Sequence, residues 1–438
     1  MSFPEYPASI SQRLLWTAAH HAGESACATA RVYSLPNMDE SALEHALTDL
    51  RGRHEALRTH MVGAGPELRQ QVLDAVPLRV EWEDRPWVRH GNHSAVRVHG
   101  RRNGPDGVIT LEIDHLLTDG RSFEVIRADL AELYAARVER RPPRLGAAGW
   151  QYRQFAEWQS DRLQGARLER LQSAWLRRLD GAMPAHLPKP TQRPDPGERI
   201  ARVQPLRADA GVASALRALA SAGNTTPDAA ALGVFFLELV LLTGQDDLTI
   251  SSIFANRTEP KVWRTVGLFA HLLPLRLALG GSSRVTEVLR LAGEAVAHGL
   301  ANQELPMSLL PSGAIARQDF IDIGNIVFQV QPTSAPGEDE DDPGAVRTAP
   351  DVEATRTAPG RAASEPHARF DLELSLSPRG SGLRGFIRYA ADRFAPDWIG
   401  AFRDLFFELA LAAAAEPELT VSELRPRLGA RVASLATR

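Results

Sequence analysis

Apolar residues recur along this chain in two rhythms, one near 3.6 residues and one near 2, and the changes of rhythm mark its predicted elements. Leu14, Leu15 and Ala18 place a helix over Ser9–His20, with serines ahead of it as caps. Leu43, Leu47, Leu50 and Leu57 predict another within Asp39–Thr59, whose charged end (Arg53, His54, Glu55, Arg58) is expected to be solvated. Short extended segments follow at Gln71–Val80 and Ser94–Val98, and Val108, Leu111 and Ile113 read as a buried strand. Phe123, Ile126, Leu130, Leu133 and Tyr134 then return to helical spacing. Trp150–Leu179 reads as one long arginine-rich helix with Tyr152, Phe155 and Trp158 on a common face.

The prolines of PAHLPKPTQRPDP (Pro184–Pro196) forbid a continuous helix, so the boundary between two lobes is expected there. The predicted domains are residues 1–183, a linker at 184–199, and residues 200–438. In the second lobe, Ile200–Leu206 reads as a strand and Gly211–Gly223 as a helix, and Asn224–Pro227 caps an apolar helix running to Leu242. Asp247–Asn256 is a buried strand ending beside Arg257, Val266–Leu277 is apolar, Val285–Gly299 is a helix, and Phe320–Gln331 contains the strand IVFQVQ. Pro332–Ala368 is acidic at Glu338–Asp342 and nearly devoid of large apolar residues, which predicts a mobile loop between two strands. FDLELSL and GLRGFIRY alternate as paired strands around a turn, and Ala395–Ala415 closes the chain as an amphipathic helix. Strands alternating with helices in both lobes make the fold class α/β.

Composition narrows the functional classes. A chain of 438 residues exceeds one ordinary core, and a hydrophobic share of 44% suffices for two. The formal charge of -4 gives no basic surface for nucleic acid or an anionic membrane. A lone cysteine, Cys27, excludes an internal disulfide and a thiolate metal cluster. The N-terminus lacks the pattern of a secretory signal, and apolar runs such as Ala229–Leu242 are too short to span a bilayer, so a cytoplasmic location is expected.

The chemistry concentrates in VITLEIDHLLTDGRSF (Val108–Phe123), where His115-x-x-x-Asp119-Gly120 lies at the change from strand to helix. Turns of that kind are rigidly held yet face a cleft, so an imidazole there can be aimed at a substrate. Gly120 is read as permitting a tight backbone path, and Asp119 or Ser122 as capping the next helix.

RHEALRT (Arg53–Thr59), DHLLTDGRS (Asp114–Ser122), YRQFAEWQ (Tyr152–Gln159), VGLFAHLLPLR (Val266–Arg276), ANQELP (Ala301–Pro306) and RFDLELSL (Arg369–Leu376) occur in the order of a known set. Together they resemble the condensation domains of nonribosomal peptide synthetases, within the chloramphenicol-acetyltransferase-like superfamily, over nearly the whole chain. The resemblance implies two acyltransferase-like subdomains in a V, a tunnel at their junction, and His115 midway along it. It implies acyl transfer from the phosphopantetheine thioester of an acyl or peptidyl carrier protein, acting in trans, to an amine or hydroxyl, carrier-bound or free. His115 is then a general base or a positioning group. Asp119 is structural and pairs with an arginine, either Arg58 or Arg257. Asp114, Gly120, Arg58 and Arg257 support the site, while Ser122, His271 and Gln331 line the tunnel.

The resemblance further implies a free-standing monomer with no metal and no directly bound cofactor, working in peptide or hybrid polyketide biosynthesis. Asp114 stands where the family usually has a first histidine, and His271 where asparagine is common. Asp114, Asp119 and Ser122 also fit the signature of heterocyclisation domains. A non-catalytic recruiting domain is the third reading, against which the retention of His115 argues. The Asp-Phe-Gly-Trp-Gly signature of plant acyl-coenzyme A transferases is absent, which favours a carrier protein over coenzyme A as donor.

Overall fold

The computed structural model describes residues 3–21, 28–82, 95–188, 200–279, 282–311, 323–331, 347–348, 368–379 and 381–436. Contacts divide the chain into two compact units. The first comprises Met1–Glu169, Ala255–His271 and Gly337–Ala363; the second comprises Arg170–Phe254, Leu272–Pro336 and Ser364–Arg438. This division differs from a single cut at 184–199: the first unit ends earlier and takes two segments from later in the chain. Residues 189–199 of the expected linker, Cys27, and all of 332–367 except 347–348 lie outside the described residues.

In the first unit the strands are β1 (Glu5–Pro7), β2 (Ala28–Leu35), β3 (Thr59–Val62), β4 (Arg69–Val72), β5 (Glu81–Trp82), β6 (Val96–Asn103) and β7 (Asp106–Asp114). Its helices are α1 (Ile10–His21), α2 (Glu40–Arg53), α3 (Gly120–Val138) and α4 (Tyr152–Arg162). Strands β1, β4 and β3 form a small antiparallel sheet. A larger sheet runs β12-β2-β7-β6-β5, in which β12 (Arg347–Thr348) comes from within the predicted loop and pairs antiparallel with β2. Alternation along β7 turns Ile109, Leu111 and Ile113 to one side, all fully buried. There they meet Leu43, Leu47 and Leu50 of α2 and Ile126, Leu130 and Leu133 of α3. This core fixes the end of β7 and the start of α3, the two elements that flank the histidine.

The long helix expected over Trp150–Leu179 is two helices. Helix α4 gives way to α5 (Gly165–Leu179) where Gly165 takes a left-handed φ of 52°, which resets the direction of the chain. The charged end expected to be solvated is also different, because His54 is only 3% exposed.

In the second unit, β8 (Ala201–Ala208), β9 (Asp247–Phe254), β10 (His271–Ala278), β11 (Ile326–Val330), β13 (Leu372–Arg379) and β14 (Gly382–Ala390) form a sheet in the order β10-β9-β11-β13-β14-β8. The expected hairpin is present as β13–β14, antiparallel from Leu372↔Tyr389 to Arg379↔Gly382. The helices are α6 (Ala210–Ala222), α7 (Pro227–Thr243), α8 (Val285–Asn302), α9 (Pro396–Ala415), α10 (Val421–Arg427) and α11 (Gly429–Ala436), so two short helices follow the one expected to close the chain.

Helix α7 is bounded as its sequence dictates: Thr226 caps Ala229 N–H, Pro227 opens it and Gly244 leaves it in a left-handed conformation. Every residue from Ala229 to Leu242 is buried, Glu238 included. Among the described residues no single helix is long and apolar enough to cross a membrane.

Candidate active site

Strand β7 delivers the chain to Asp114, whose N–H is held by the Ala95 carbonyl at 3.0 Å. Asp114 Oδ1 accepts the Leu116 N–H at 2.9 Å and so caps the single 3-10 turn His115–Leu117. Burial pushes the Asp114 carboxyl above the ordinary aspartate range, against the opposing pull of that N–H and of His60. The His115 ring is half-buried, with Nδ1 2.9 Å from the Thr118 carbonyl. A carbonyl only accepts, so Nδ1 carries the hydrogen, and Nε2 is the acceptor nitrogen of the neutral ring.

The next residues root this turn in helix α3. Asp119 is the N-cap, as expected of it, and is 2% exposed. Its Oδ1 accepts Ser122 N–H at 2.8 Å, Ser122 Oγ–H at 2.7 Å and Arg257 Nη2 at 3.1 Å. Its Oδ2 accepts the N–H groups of Phe269 at 3.1 Å and Ala270 at 3.3 Å.

Arg257 is therefore the arginine that pairs with Asp119. Arg58 is not: it bonds the Leu73 carbonyl and lies 3.8 Å from Glu55. Asn256, left-handed at φ 48°, turns the chain just ahead of Arg257. The guanidinium then donates to the carbonyls of Val262 at 2.6 Å and Thr265 at 2.7 Å and lies over the Phe269 ring at 4.1 Å. One cation thus folds the segment 255–271 onto itself and ties it to α3.

Ser122 is fully buried, its hydroxyl set between Asp119, Arg257 and both the carbonyl (2.8 Å) and N–H (3.0 Å) of Gly267. It belongs with this support rather than with a passage. A Cβ on Gly267 would fall 1.9 Å from the Tyr152 ring, so only glycine permits the approach. Tyr152 Oη–H bonds the Leu268 carbonyl and meets Ser9 Oγ at 2.7 Å.

Gly120 is where the sequence reading fails. It has no left-handed φ, and a Cβ there would meet nothing within 4 Å, so the backbone path does not require glycine and the space in front of it is open. His271 is half-buried at the start of β10. Gln331 is exposed in the second unit, with its N–H on the Leu376 carbonyl at 2.7 Å.

Two supports escape the sequence reading. Asp129 on α3, 0% exposed, accepts from Arg53 Nε (2.8 Å), His54 Nε2 (2.9 Å) and Arg264 Nη2 (2.5 Å). Burial raises its pKa, but the bonds from His54 and Arg53 outweigh this and bring it down to about 2. The adjacent charges of the RHE run are the signal that could have found it. The second is Gln12, fully buried on α1, whose Nε2 donates to the Leu116 carbonyl at 2.9 Å. Ser9-x-x-Gln12 is the spacing of a reciprocal helix cap, and both of its bonds are present, at 2.9 and 3.1 Å.

Among the described residues no group of histidine, cysteine or carboxylate side chains could hold a metal ion. What the arrangement offers is an imidazole on a turn anchored at both ends, with Nδ1 committed to a carbonyl, so that in its neutral form Nε2 is the nitrogen able to accept a proton.

The sequence matches the family model of the condensation domain over residues 101–427. Enniatin synthase of Fusarium equiseti is 26% identical over 411 residues, which cover 88% of this chain and 13% of that protein. A linear gramicidin synthase polypeptide of Brevibacillus parabrevis is 27% identical over 464 residues, 97% of this chain and 8% of that protein. The chain thus spans only a small part of the length of these relatives.

The X-domain from teicoplanin biosynthesis superimposes with a TM-score of 0.76 at 23% identity, covering 96% of this chain and 98% of that one; a complex of the X-domain with OxyB is also similar. The condensation domain of the monacolin K polyketide synthase MokA gives 0.77 at 17%, covering 96% and 100%. The epimerization domain of the third module of tyrocidine synthetase B gives 0.75 at 16%, covering 94% and 97%. These likenesses speak for the fold, which is the chloramphenicol-acetyltransferase-like α/β fold of the condensation domains.

Proposed function

The chain belongs to the condensation-domain family, and from that premise we propose that it catalyses acyl transfer from a carrier-protein thioester to an amine or hydroxyl, forming an amide or an ester. The observation that carries this reading is the fixed tautomer of His115. With Nδ1–H on the Thr118 carbonyl, Nε2 is the nitrogen that can accept the nucleophile's proton as its nitrogen or oxygen attacks the thioester carbonyl carbon. Collapse of the tetrahedral adduct breaks the C–S bond, and the departing pantetheine sulfur takes the proton from the imidazolium. Asp119, Arg257 and Ser122 do not reach the reacting atoms in this scheme; they hold the turn.

The donor is an acyl or peptidyl group on the phosphopantetheine arm of a carrier protein, and the acceptor is carrier-bound or a free amine or alcohol. No cofactor of the enzyme's own takes part. Relatives named as a nonribosomal peptide synthetase and as a nonribosomal cyclodepsipeptide synthetase support both amide and ester products. The heterocyclisation reading loses support, because Asp119 and Ser122 are buried and committed to Arg257 and Gly267. The likeness to an X-domain solved with OxyB favours one alternative, a domain that recruits a partner protein.

The test mixes the protein with acyl-loaded carrier protein and amine or alcohol acceptors and follows product by mass spectrometry. Turnover by the wild type that falls roughly 10²- to 10⁴-fold in His115→Ala supports acyl transfer. Turnover unchanged in that variant removes His115 from the mechanism. Absence of turnover with any carrier thioester, together with stable binding of a partner protein, replaces catalysis with recruitment. Loss of water from a cysteine, serine or threonine product would restore cyclisation.

A further inference from the structure

We propose that Gln12 is a positioning residue for His115, an inference that rests on the acyl-transfer reading above. Gln12 is fully buried. Its Oε1 accepts the Ser9 N–H at 2.9 Å and its Nε2 donates to the Leu116 carbonyl at 2.9 Å. One backbone partner can only donate and the other only accept, so together they fix which end of the amide is which. On its other side Nε2 faces Gln70 Oε1 at 3.5 Å, and Gln70 is itself buried and anchored to the Pro7 carbonyl at 2.8 Å. The amide therefore has little freedom to turn.

Its target is the residue directly after the histidine. Leu116 is gripped at its N–H by Asp114 Oδ1 and at its carbonyl by Gln12 Nε2, each at 2.9 Å. Holding both groups fixes the backbone of the 3-10 turn, and the turn in turn keeps His115 Nδ1 against the Thr118 carbonyl. Without the Gln12 donor the Leu116 carbonyl loses its partner, the turn relaxes, and the contact that selects the Nδ1–H tautomer loosens. Gln12 thereby sets how often Nε2 is presented as a base. It touches neither reacting atoms nor carrier arm in this scheme, so its effect falls on kcat and not on KM.

Two variants separate this role from mere stability. Gln12→Glu keeps the shape and the acceptor for Ser9 N–H but replaces the donor with an oxygen that faces the Leu116 carbonyl. Gln12→Met keeps the bulk with no hydrogen-bonding group of comparable strength. Ser9→Ala is the control: it removes the helix-cap hydroxyl and its contact to Tyr152 while leaving the Ser9 N–H and the Gln12 amide in place.

The first readout is ¹⁵N-histidine NMR at a pH where the ring is neutral, with the His115 signals assigned by their loss in His115→Ala. The wild type is expected to show Nδ1–H, both Gln12 variants a mixture of tautomers, and Ser9→Ala the wild-type pattern with a lowered Tm. In turnover assays the Gln12 variants should lose about tenfold or more in kcat, with KM within about twofold, the signature of a misplaced catalytic group. Wild-type tautomer and kcat in both variants overturn the proposal. A fall in kcat with an unchanged tautomer overturns it as well, since Gln12 would then act on something other than the imidazole. If the wild type turns over no carrier thioester, the acyl-transfer reading fails while the NMR measurement still decides whether Gln12 orients the ring.

Discussion

Replacing Asp119 with asparagine changes one atom and should cost the first unit a large part of its stability. Each carboxylate oxygen faces only donors: Oδ1 meets Ser122 N–H, Ser122 Oγ–H and Arg257, and Oδ2 meets the N–H groups of Phe269 and Ala270. An asparagine NH₂ points a donor at donors whichever way it is turned. The less costly orientation puts NH₂ on the Oδ2 side, losing two charge-assisted bonds worth roughly 1.5–3 kcal/mol each. It also leaves Arg257, its side chain 6% exposed, facing a neutral partner, and breaking a buried pair costs roughly 3–5 kcal/mol.

These terms overlap, and a net loss of about 4 kcal/mol is expected, a large share of the roughly 5–15 kcal/mol of a folded domain. In urea titrations followed by circular dichroism this is a midpoint shift of about 1–2 M for a slope near 2–3 kcal/mol/M. Arg257→Met should cost a similar amount, and the double variant should cost less than the sum by at least about 1 kcal/mol, because either single change already breaks the pair. An Asp119→Asn variant within about 1 kcal/mol of wild type, or an additive double variant, would refute the assignment of this network as the anchor of the turn.

Two glycines should respond oppositely to alanine. Gly267→Ala forces a Cβ to within 1.9 Å of the Tyr152 ring and should lower stability by about 1–3 kcal/mol. Gly120→Ala adds a methyl to open space at the first turn of α3 and should leave Tm unchanged or slightly raised, as differential scanning calorimetry would read. The third prediction concerns Glu238 in α7, whose carboxyl is fully buried with neither oxygen hydrogen-bonded among the described residues, so that burial holds its pKa well above the usual glutamate value. The folded state then keeps a proton that the unfolded chain has released. Stability should fall as pH rises above about 4.5, by about 1.4 kcal/mol per unit until the raised pKa is passed. Glu238→Leu should abolish that slope in denaturant titrations across the range, and an unchanged slope would mean that the carboxyl is not the group titrating.

Periodicity locates the local elements because burial enforces it locally. Ile109, Leu111 and Ile113 alternate and are buried together, and Phe123 and Ile126 follow at helical spacing on a helix whose cap is Asp119. Long-range polar pairing leaves no such rhythm. In the sequence Arg58 and Arg257 are equal candidates for Asp119, and the choice between them depends on a loop that returns to α3 from more than a hundred residues away.

The same limit explains His54, which reads as part of a solvated helix end because Asp129 is distant in sequence and close only across the packed faces of α2 and α3. Gly120 reads as permitting a tight backbone path that the chain does not take, since a residue type shows what a backbone is allowed to do and not what it does. Gly165, with no motif around it to mark it out, is the one that breaks a helix. Gln12 is masked by its position, because a helix cap and a turn anchor call for the same residue.

The excursion of Ala255–His271 into the first unit bears on how this protein emerges from the ribosome. The N-terminal portion of that unit is complete in sequence at Glu169, yet the arginine, glycine and backbone amides that close around Asp119 belong to a stretch ending at His271. At about 5–20 residues per second, translating the roughly 100 residues between takes some 5–20 s. For that interval a nascent carboxylate destined for burial stays hydrated and the histidine turn lacks its anchor. The turn thus acquires its rigidity late, and a stalled or truncated product would carry the whole His-x-x-x-Asp-Gly motif without the scaffold that holds it.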